Sequence, residues 1–454
     1  VSTRRPESKF IMAKFDAAQT NHDNAKHWGN ADSLSPDAAA NSSTREKVRN
    51  RARYEIFNNS YAMGMLLSWV NHLIGTGPRL QMRTGVAGVN KKFEQEFPKW
   101  MAKVNLAAKL KTMAFAKKGD GESVGVVINN PKIDHPVTLD LRLVECDRLT
   151  TSWYKLGDPN EVDGIHFDSY DNPIFYNILK NHPGTDKWNA NALDSDRIAA
   201  DYVIHWFRAI RPEQHRGVSE IMSALPLFAY LRRYTLATVS AAETAANWAA
   251  VIQSNAPAGT EPDVIDAMDV IQLERNSALT LPMGWELGQL KAEFPQTTYA
   301  EFKHEILNEI SRCILEPYNI AAGNSSGYNY ASGRLDHQDF GKAIDVERKD
   351  MDNVALDKLF DHWATEASIV FDLPRLDDYP HEWFYDGVPH VDPQKEANAQ
   401  AKRLASGTTT LAREFGKEGL DWEAQIDQQI KEAKKKLELA KINAEIAKVE
   451  RGDV

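Results

Sequence analysis

Several groups of residues in this sequence are of types that do chemistry in other settings. Asp120, Glu122, Glu145 and Asp147 are carboxylates of the kind that hold a divalent metal for hydrolysis. His205 and His215 lie near Glu213, and Asp336, His337 and Asp339 fall within one turn, both combinations that bind zinc elsewhere. The glycine-rich stretch from Gly323 to Gly333 has the composition of a phosphate-cradling loop, and Arg49, Arg51 and Arg53 form a compact run of cations. Spacing argues against each of these uses. Nothing in the sequence forces the four carboxylates together, which makes turns and strand ends their expected places. The histidines lack the H-E-x-x-H pattern and a third ligand at helical spacing. Asp336, His337 and Asp339 project in different directions if they share a helix. Gly341-Lys342-Ala343 has neither the spacing nor the hydroxyl of an ATP loop, and the Gly323 stretch does not follow a strand as a dinucleotide site requires. There is no G-x-S-x-G elbow. By pattern the arginines belong to a solvated helix face. No catalytic residue, metal or cofactor is expected.

The elements that would position these residues read as a mainly helical α+β chain. With 42% hydrophobic and 26% charged residues among 454, it falls in the globular class. The two cysteines, Cys146 and Cys313, are far apart and match no metal spacing, as expected of reduced thiols made in a cytoplasm. No apolar run approaches the ~18 residues of a membrane span, and the first ten residues lack the apolar core of a signal peptide. A soluble, unsecreted protein is expected. A formal charge of −10 argues against gripping nucleic acid over the whole surface, since affinity for phosphate comes from Lys and Arg.

Residues 1–44 read as a polar arm with some helix over 11–18. A long helix is expected from Thr44, entered through a Ser43–Glu46 capping box and ended by Gly75 and Gly77-Pro78. A second amphipathic helix is expected over 91–117. A strand follows the turn at 119–123, then a second strand alternates Val137, Leu139, Leu141 and Leu143 against Thr138, Asp140 and Arg142. The segment from Gly164 to Lys180 reads as a hairpin turning at Asp171-Asn172-Pro173. A helix rich in alanine is expected over 219–253 with a kink at Pro226. Its small residues suit close helix packing, whether inside a monomer or around a ring. Another helix carries Tyr299, Phe302, Ile306, Ile310 and Ile314 up to Pro317, and a long one runs from Arg334 to Ala367. Between those two lies a soft loop with Tyr328, Asn329 and Tyr330 at its expected tip. A charged helix ends the chain.

The string Asn329-Tyr330-Ala331-Ser332-Gly333-Arg334 resembles the N-Y-S-S-x-R signature of lambda-type tailed-phage portal proteins, with Ala331 in place of the first serine. Further segments resemble that family in consistent order. They are Arg49–Arg53 (R-x-R-A-R), Asn58 to Ala62, Ile74 to Gly77, Asp120-Gly121-Glu122, and Glu145, Asp147 and Leu149 (E-x-D-x-L). The hairpin from Gly164 to Ile178 also matches, as does the run Ile204, His205, Phe207, Arg211, Pro212, Gln214, Arg216, Gly217, Val218 and Ser219. Val391-Asp392-Pro393, Lys395-Glu396, Ala399, Gly407, Thr410, Gly419 and Asp421 complete it.

The resemblance implies a portal fold and a homo-oligomeric ring, usually dodecameric, at one capsid vertex. Its parts would be an arm (1–44), a wing (45–215 and 334–394), two stem helices (216–253 and 297–318), a clip (254–296), a tunnel loop (319–333) and crown helices (395–454). It implies as partners double-stranded DNA in the channel, the terminase large subunit, the major capsid protein and head-tail connector proteins, and no membrane. Assembly would take place in the host bacterial cytoplasm. Asn324, Ser325, Ser326, Tyr328, Asn329, Tyr330, Ser332 and Arg334 would be the DNA-facing residues. Two other readings are a metal-dependent DNA-processing enzyme with a poorly marked carboxylate site, and a different oligomeric capsid component.

Overall fold

The computed structural model describes residues 22, 26–150, 160–185, 194–247, 251–254, 285–288, 296–387 and 393–450. Among them the chain runs through α1 (Pro36–Ala39), α2 (Ser42–Asn58), α3 (Ser60–Ile74), β1 (Arg79–Met82), α4 (Ala87–Lys103) and α5 (Leu106–Asp120). Eight-residue β2 (Glu122–Asn129) precedes β3 (Leu139–Val144), β4 (Glu161–Val162), β5 (Ile165–Phe167), β6 (Pro173–Leu179), β7 (Ser195–Ala199) and β8 (Val203–Phe207). Next come α6 (Leu225–Asn247), β9 (Val251–Ser254), β10 (Trp285–Gly288), α7 (Gln296–Ile314), α8 (Tyr318–Ala321), α9 (Tyr330–Met351) and α10 (Asp357–Val370). Strand β11 (His381–Phe384) and helices α11 (Pro393–Ala405), α12 (Leu411–Lys417) and α13 (Trp422–Glu450) end the chain. The mainly helical α+β expectation holds.

Several expected boundaries move, each for a local reason. The first long helix is two, because Asn59 takes extended backbone and its side chain accepts the Tyr61 N–H at 3.1 Å to start α3. Its entry is capped by Asn41, whose side-chain Oδ1 accepts the Thr44 N–H, so the expected Ser43–Glu46 box gives way and Ser43 lies inside the first turn. The expected helix over 91–117 is also two. Asn105 breaks it with a left-handed φ of 54°, a conformation asparagine tolerates better than most residues. Pro226 sits in the first turn of α6, where its missing N–H has no helical acceptor anyway, and so it starts a helix instead of kinking one. The expected helix at 11–18 lies outside the described residues, as does most of 254–296. At its margins β9 and β10 pair antiparallel.

The strands form a β3-β2-β8 sheet, a β4-β5-β6-β7 sheet that includes the expected hairpin, and a β1-β11 pair, all antiparallel. Three apolar clusters hold them. Phe93, Phe97 and Trp100 of α4 meet Phe360 and Trp363 of α10 edge-on and tilted, with Phe97 and Trp363 ring centres 5.0 Å apart. Val124, Val126, Val144, Ile165, Tyr176 and Ile178 fill the space between the two larger sheets. Ile56, Met65 and Leu66 of α2 and α3 pack on Phe228 and Leu231 of α6 and Ile306, Leu307, Ile310 and Ile314 of α7. That last cluster ties the root of the α6–α7 pair to the rest of the chain.

Candidate functional site

The expected loop is shorter than its composition suggests. Helix α9 begins at Tyr330, within the stretch read as loop, because Asn329 caps it. The Asn329 side chain accepts from Ala331 N at 3.0 Å and Ser332 N at 2.9 Å, while Ser332 Oγ accepts from Asn329 N at 3.2 Å. This is a reciprocal capping box, and the same polar side chains that break helices are the ones that start them. The remaining turn runs from Ala322 to Tyr328, framed by left-handed Gly323 and Gly327, and Asn324 Oδ1 accepts from Ser326 N at 2.9 Å. A Cβ on either glycine would meet open space, and Asn324 N ties the turn to α8 through Asn319 O at 3.0 Å.

Asn324, Ser325 and Ser326 are the exposed tip. Tyr328 is half-buried, its hydroxyl pushed up by that burial and by the Asp336 carboxylate beside it. Tyr328 and Asn329 therefore lie at the base of the turn rather than at its tip. Arg334 is exposed, just beyond the first turn of α9, and Tyr330 lies in that first turn. Asn329→Ala is expected to cost about 1 kcal/mol of local stability. Amide exchange over 330–336 would show it as faster exchange, and unchanged rates would refute the cap.

The carboxylates expected at turns and strand ends and the arginines expected on a solvated face converge instead on one junction, buried at Glu122 and Arg49 and open at Glu145. Arg49 on α2 places Nη1 2.7 Å from Asp147 Oδ1 and Nη2 3.2 Å from Glu122 Oε1. Arg53, one turn on, holds Asp120 through two donors at 2.9 and 2.7 Å and reaches Glu145 and Asp147 at 2.8 Å each. Arg45, a turn earlier, meets Asp163 at 2.6 Å, whereas Arg51 faces solvent. Glu122 is fully buried at the start of β2 and pairs with Arg216 through two donors, at 2.9 and 2.6 Å. Burial opposes the charge on Glu122, but Arg216 and His205 outweigh it and hold the carboxyl well below its usual range.

Both histidines find carboxylates, and among the described residues neither pairs with a second histidine. His205 is buried against Glu122 at 3.0 Å, and burial keeps its pKa below the ordinary imidazole value. His215 bridges Asp37 at 2.6 Å and Asp171 at 2.9 Å, which tether α1 to the hairpin turn; these partners raise its pKa despite partial burial. Among the described residues, Glu145, Asp147 and His182 have ligand atoms within 4.8 Å of one another. The Arg53 guanidinium already lies against both carboxylates of that trio. Its charge makes the junction a structural clamp and a poor cation site. The sequence carried a signal for this clamp in its ordered motifs, but the partners are 67 to 118 residues apart in the chain and no spacing rule reaches that far.

Residues 22–348 match the family model described as phage portal protein, lambda family, which is well over half of the chain. A curated relative, the "Probable portal protein" of Halomonas phage phiHAP-1, is 25% identical over 430 residues, covering 86% of this chain and 81% of that protein. Among solved structures, a chain from the neck of an empty GTA particle computed with C6 symmetry aligns with a TM-score of 0.54, covering 82% of this chain and 94% of that one at 12% identity. A chain from the neck of the native GTA particle computed with C12 symmetry gives a TM-score of 0.51 over 82% and 93% at 13% identity. At such identities the likeness is one of fold.

Proposed function

This chain belongs to the lambda family of phage portal proteins, and we propose that twelve copies close into a ring around a double-stranded DNA channel at one capsid vertex. In this reading the terminase large subunit drives DNA through the ring, and head-tail connector proteins dock on it afterwards. The major capsid protein surrounds it, and the ring makes and breaks no bonds. Assembly takes place in the host bacterial cytoplasm.

The observation that carries the ring is a surface of the α6–α7 pair that none of the described residues covers. The two helices are joined to each other through Tyr234, stacked on Tyr299 at 5.5 Å and tilted on Phe302 at 4.6 Å. Yet Tyr230, Leu236, Val239 and Phe302 are all exposed in the single chain, as are Ala237 and Ala242. Leu236, Val239 and Ala242 follow at three-residue spacing and Tyr230 and Ala237 at seven, so apolar and small residues are exposed on more than one face of α6, and an identical neighbour on each side would cover them. Exposed Ile430, Leu437, Leu439 and Ile442 on α13 present a second surface of that kind near the C-terminal end.

The turn at 322–328 suits a channel wall. Asn324, Ser325 and Ser326 offer neutral hydrogen-bonding groups, with Arg334 behind them and Tyr328, Asn329, Tyr330 and Ser332 forming the root of the loop. DNA affinity grows with the number of phosphates neutralised, so a wall with few cations holds DNA weakly enough for it to slide.

Negative-stain imaging of the purified protein with its native mass tests the ring. Closed rings with an opening wide enough for duplex DNA support it, and a monomer at every concentration refutes it. A variant lacking 324–327 tests the loop separately. Rings should still form while DNA packaging and retention fall sharply; normal packaging with normal retention would remove the loop from the mechanism.

A further inference from the structure

Glu316 sits at the joint between α7 and α8, 4% exposed, and neither of its carboxylate oxygens has a hydrogen-bond partner among the described residues. Its neighbour Leu315 has a φ of 60°, the left-handed region that leucine rarely enters. The backbone there is loosely tied. Leu315 N donates to Arg312 O at 3.4 Å and Glu316 N to Ser311 O at 3.2 Å, and Pro317 then blocks any further helix. Beyond it α8 lies with Asn319 and Ala321 buried, and the exposed turn at 322–328 follows directly.

The charges around Glu316 are already matched without it. Lys118 on α5 pairs with Glu220 at 2.7 Å, Lys117 with Glu347 at 2.5 Å, and Arg208 with Glu347 and Glu220; Asp350 lies 3.9 Å from Lys117. Three cations thus face three carboxylates. Cys313 binds the Glu220 carbonyl, which seats the α7 end against this cluster. On the α8 side the titratable groups include Tyr318 itself, Tyr61 of α3, Lys303 and His304 of α7, and His337 of α9, whose Nε2 lies 3.3 Å from the Asn319 side-chain nitrogen. An ionised Glu316 would be a fourth carboxylate in a set that has no spare cation.

We propose that Leu315 and Glu316 form a two-state joint that couples protonation of Glu316 to the position of the turn at 322–328. In this closed state Glu316 is neutral and buried, and Leu315 is left-handed at the end of α7, where Glu316 N donates to Ser311 O. When Glu316 loses its proton the carboxylate leaves for water. Leu315 relaxes to the right-handed region, α7 gains a residue, and α8 swings with the turn attached to it. Burial pushes the Glu316 carboxyl up to about 8, with Lys118 pulling weakly the other way, which puts the change within reach of physiological pH. The inference rests on the chain's own geometry and holds whether or not the turn touches DNA.

The sign follows from the two carboxyl states. In the closed joint the proton is kept up to about pH 8, whereas an exposed carboxyl loses it near 4.5. Opening is therefore favoured about tenfold per pH unit between those limits and levels off above them. Hydrogen exchange of the full-length protein at pH 5.5 and 7.5, normalised to intrinsic rates, reads this directly. Protection over 315–329 should fall by up to about a hundredfold in the wild type and stay constant in Glu316→Gln. Leu315→Gly, which takes the left-handed conformation without strain, should raise protection at both pH values. Protection in β2 serves as the control for overall folding. A wild-type response that is flat, or one that survives in Glu316→Gln and so belongs to a group such as His304, overturns the proposal. Unchanged protection in Leu315→Gly overturns the role of the strained backbone.

Discussion

Glu122→Ala is expected to cost about 3–5 kcal/mol of folding stability, the range for breaking a buried ion pair by removing one member. The reason is what the carboxylate leaves behind. Five donors converge on Glu122: two nitrogens of Arg216, Nη2 of Arg49, the His205 ring nitrogen and the Gly217 backbone N–H at 3.2 Å. Arg216 is 1% exposed and cannot turn to water without unpacking the chain around it. The same network makes the protein sensitive to acid. Glu122 has a depressed folded pKa, so its contribution is present above the ordinary carboxylate value and is lost as pH falls through the folded one. His205 is also depressed, which adds a loss as pH drops below the ordinary imidazole value, where the unfolded chain takes up a proton first. Urea unfolding at pH 7.5, 5 and 3.5 should show the His205 loss in the first step and the Glu122 loss in the second in the wild type, with the second step smaller in Glu122→Ala. A variant within ~0.5 kcal/mol of the wild type would mean that the network carries no net stability.

Much of the fold was legible because it is written locally. The alternation of Val137, Leu139 and Leu141 gave a strand face whose members are buried, and the spacing of Ile306, Ile310 and Ile314 gave the inner face of α7. What periodicity cannot supply is the partner. Phe302 continues the apolar row of Ile306 and Ile310, yet it is exposed in the single chain. Glu122 reads as a strand-end acid because its five donors come from three separate stretches of chain. The loop shows the limit at short range. Asn329, Ser332 and the glycines all lower helix propensity, but whether Asn or Ser interrupts a helix or starts one depends on which backbone N–H its side chain reaches. The ordered family motifs served better than spacing here. Four of them, around Arg49–Arg53, Asp120–Glu122, Glu145–Asp147 and Arg216–Gly217, turn out to be the pieces of one clamp.

Those motifs also contain two glycines whose replacement is expected to be severe. Gly121 ends α5 with a φ of 98°, and a Cβ on it would lie 2.2 Å from the Val218 carbonyl carbon. A Cβ on Gly217 would lie 2.1 Å from the Gly121 carbonyl oxygen. The two backbones therefore touch with no room between them, and this contact lets Arg216 reach Glu122 and lets Glu220 N donate to Lys118 O at 3.1 Å. Either glycine changed to alanine must push the strands of chain apart. Overpacking costs about 1–3 kcal/mol, and at Gly121 a left-handed penalty of about 1–2 kcal/mol is added. Gly88→Ala, in a helix and with open space around it, should instead gain up to about 1 kcal/mol, which separates a steric cause from a general intolerance of alanine. Because moving residue 217 also moves Arg216, the losses in Gly217→Ala and Glu122→Ala should not add. The double variant should fall short of the sum by more than the ~0.5 kcal/mol scatter of independent sites. Full additivity would mean that the glycine contact and the buried ion pair are separate features that merely lie side by side.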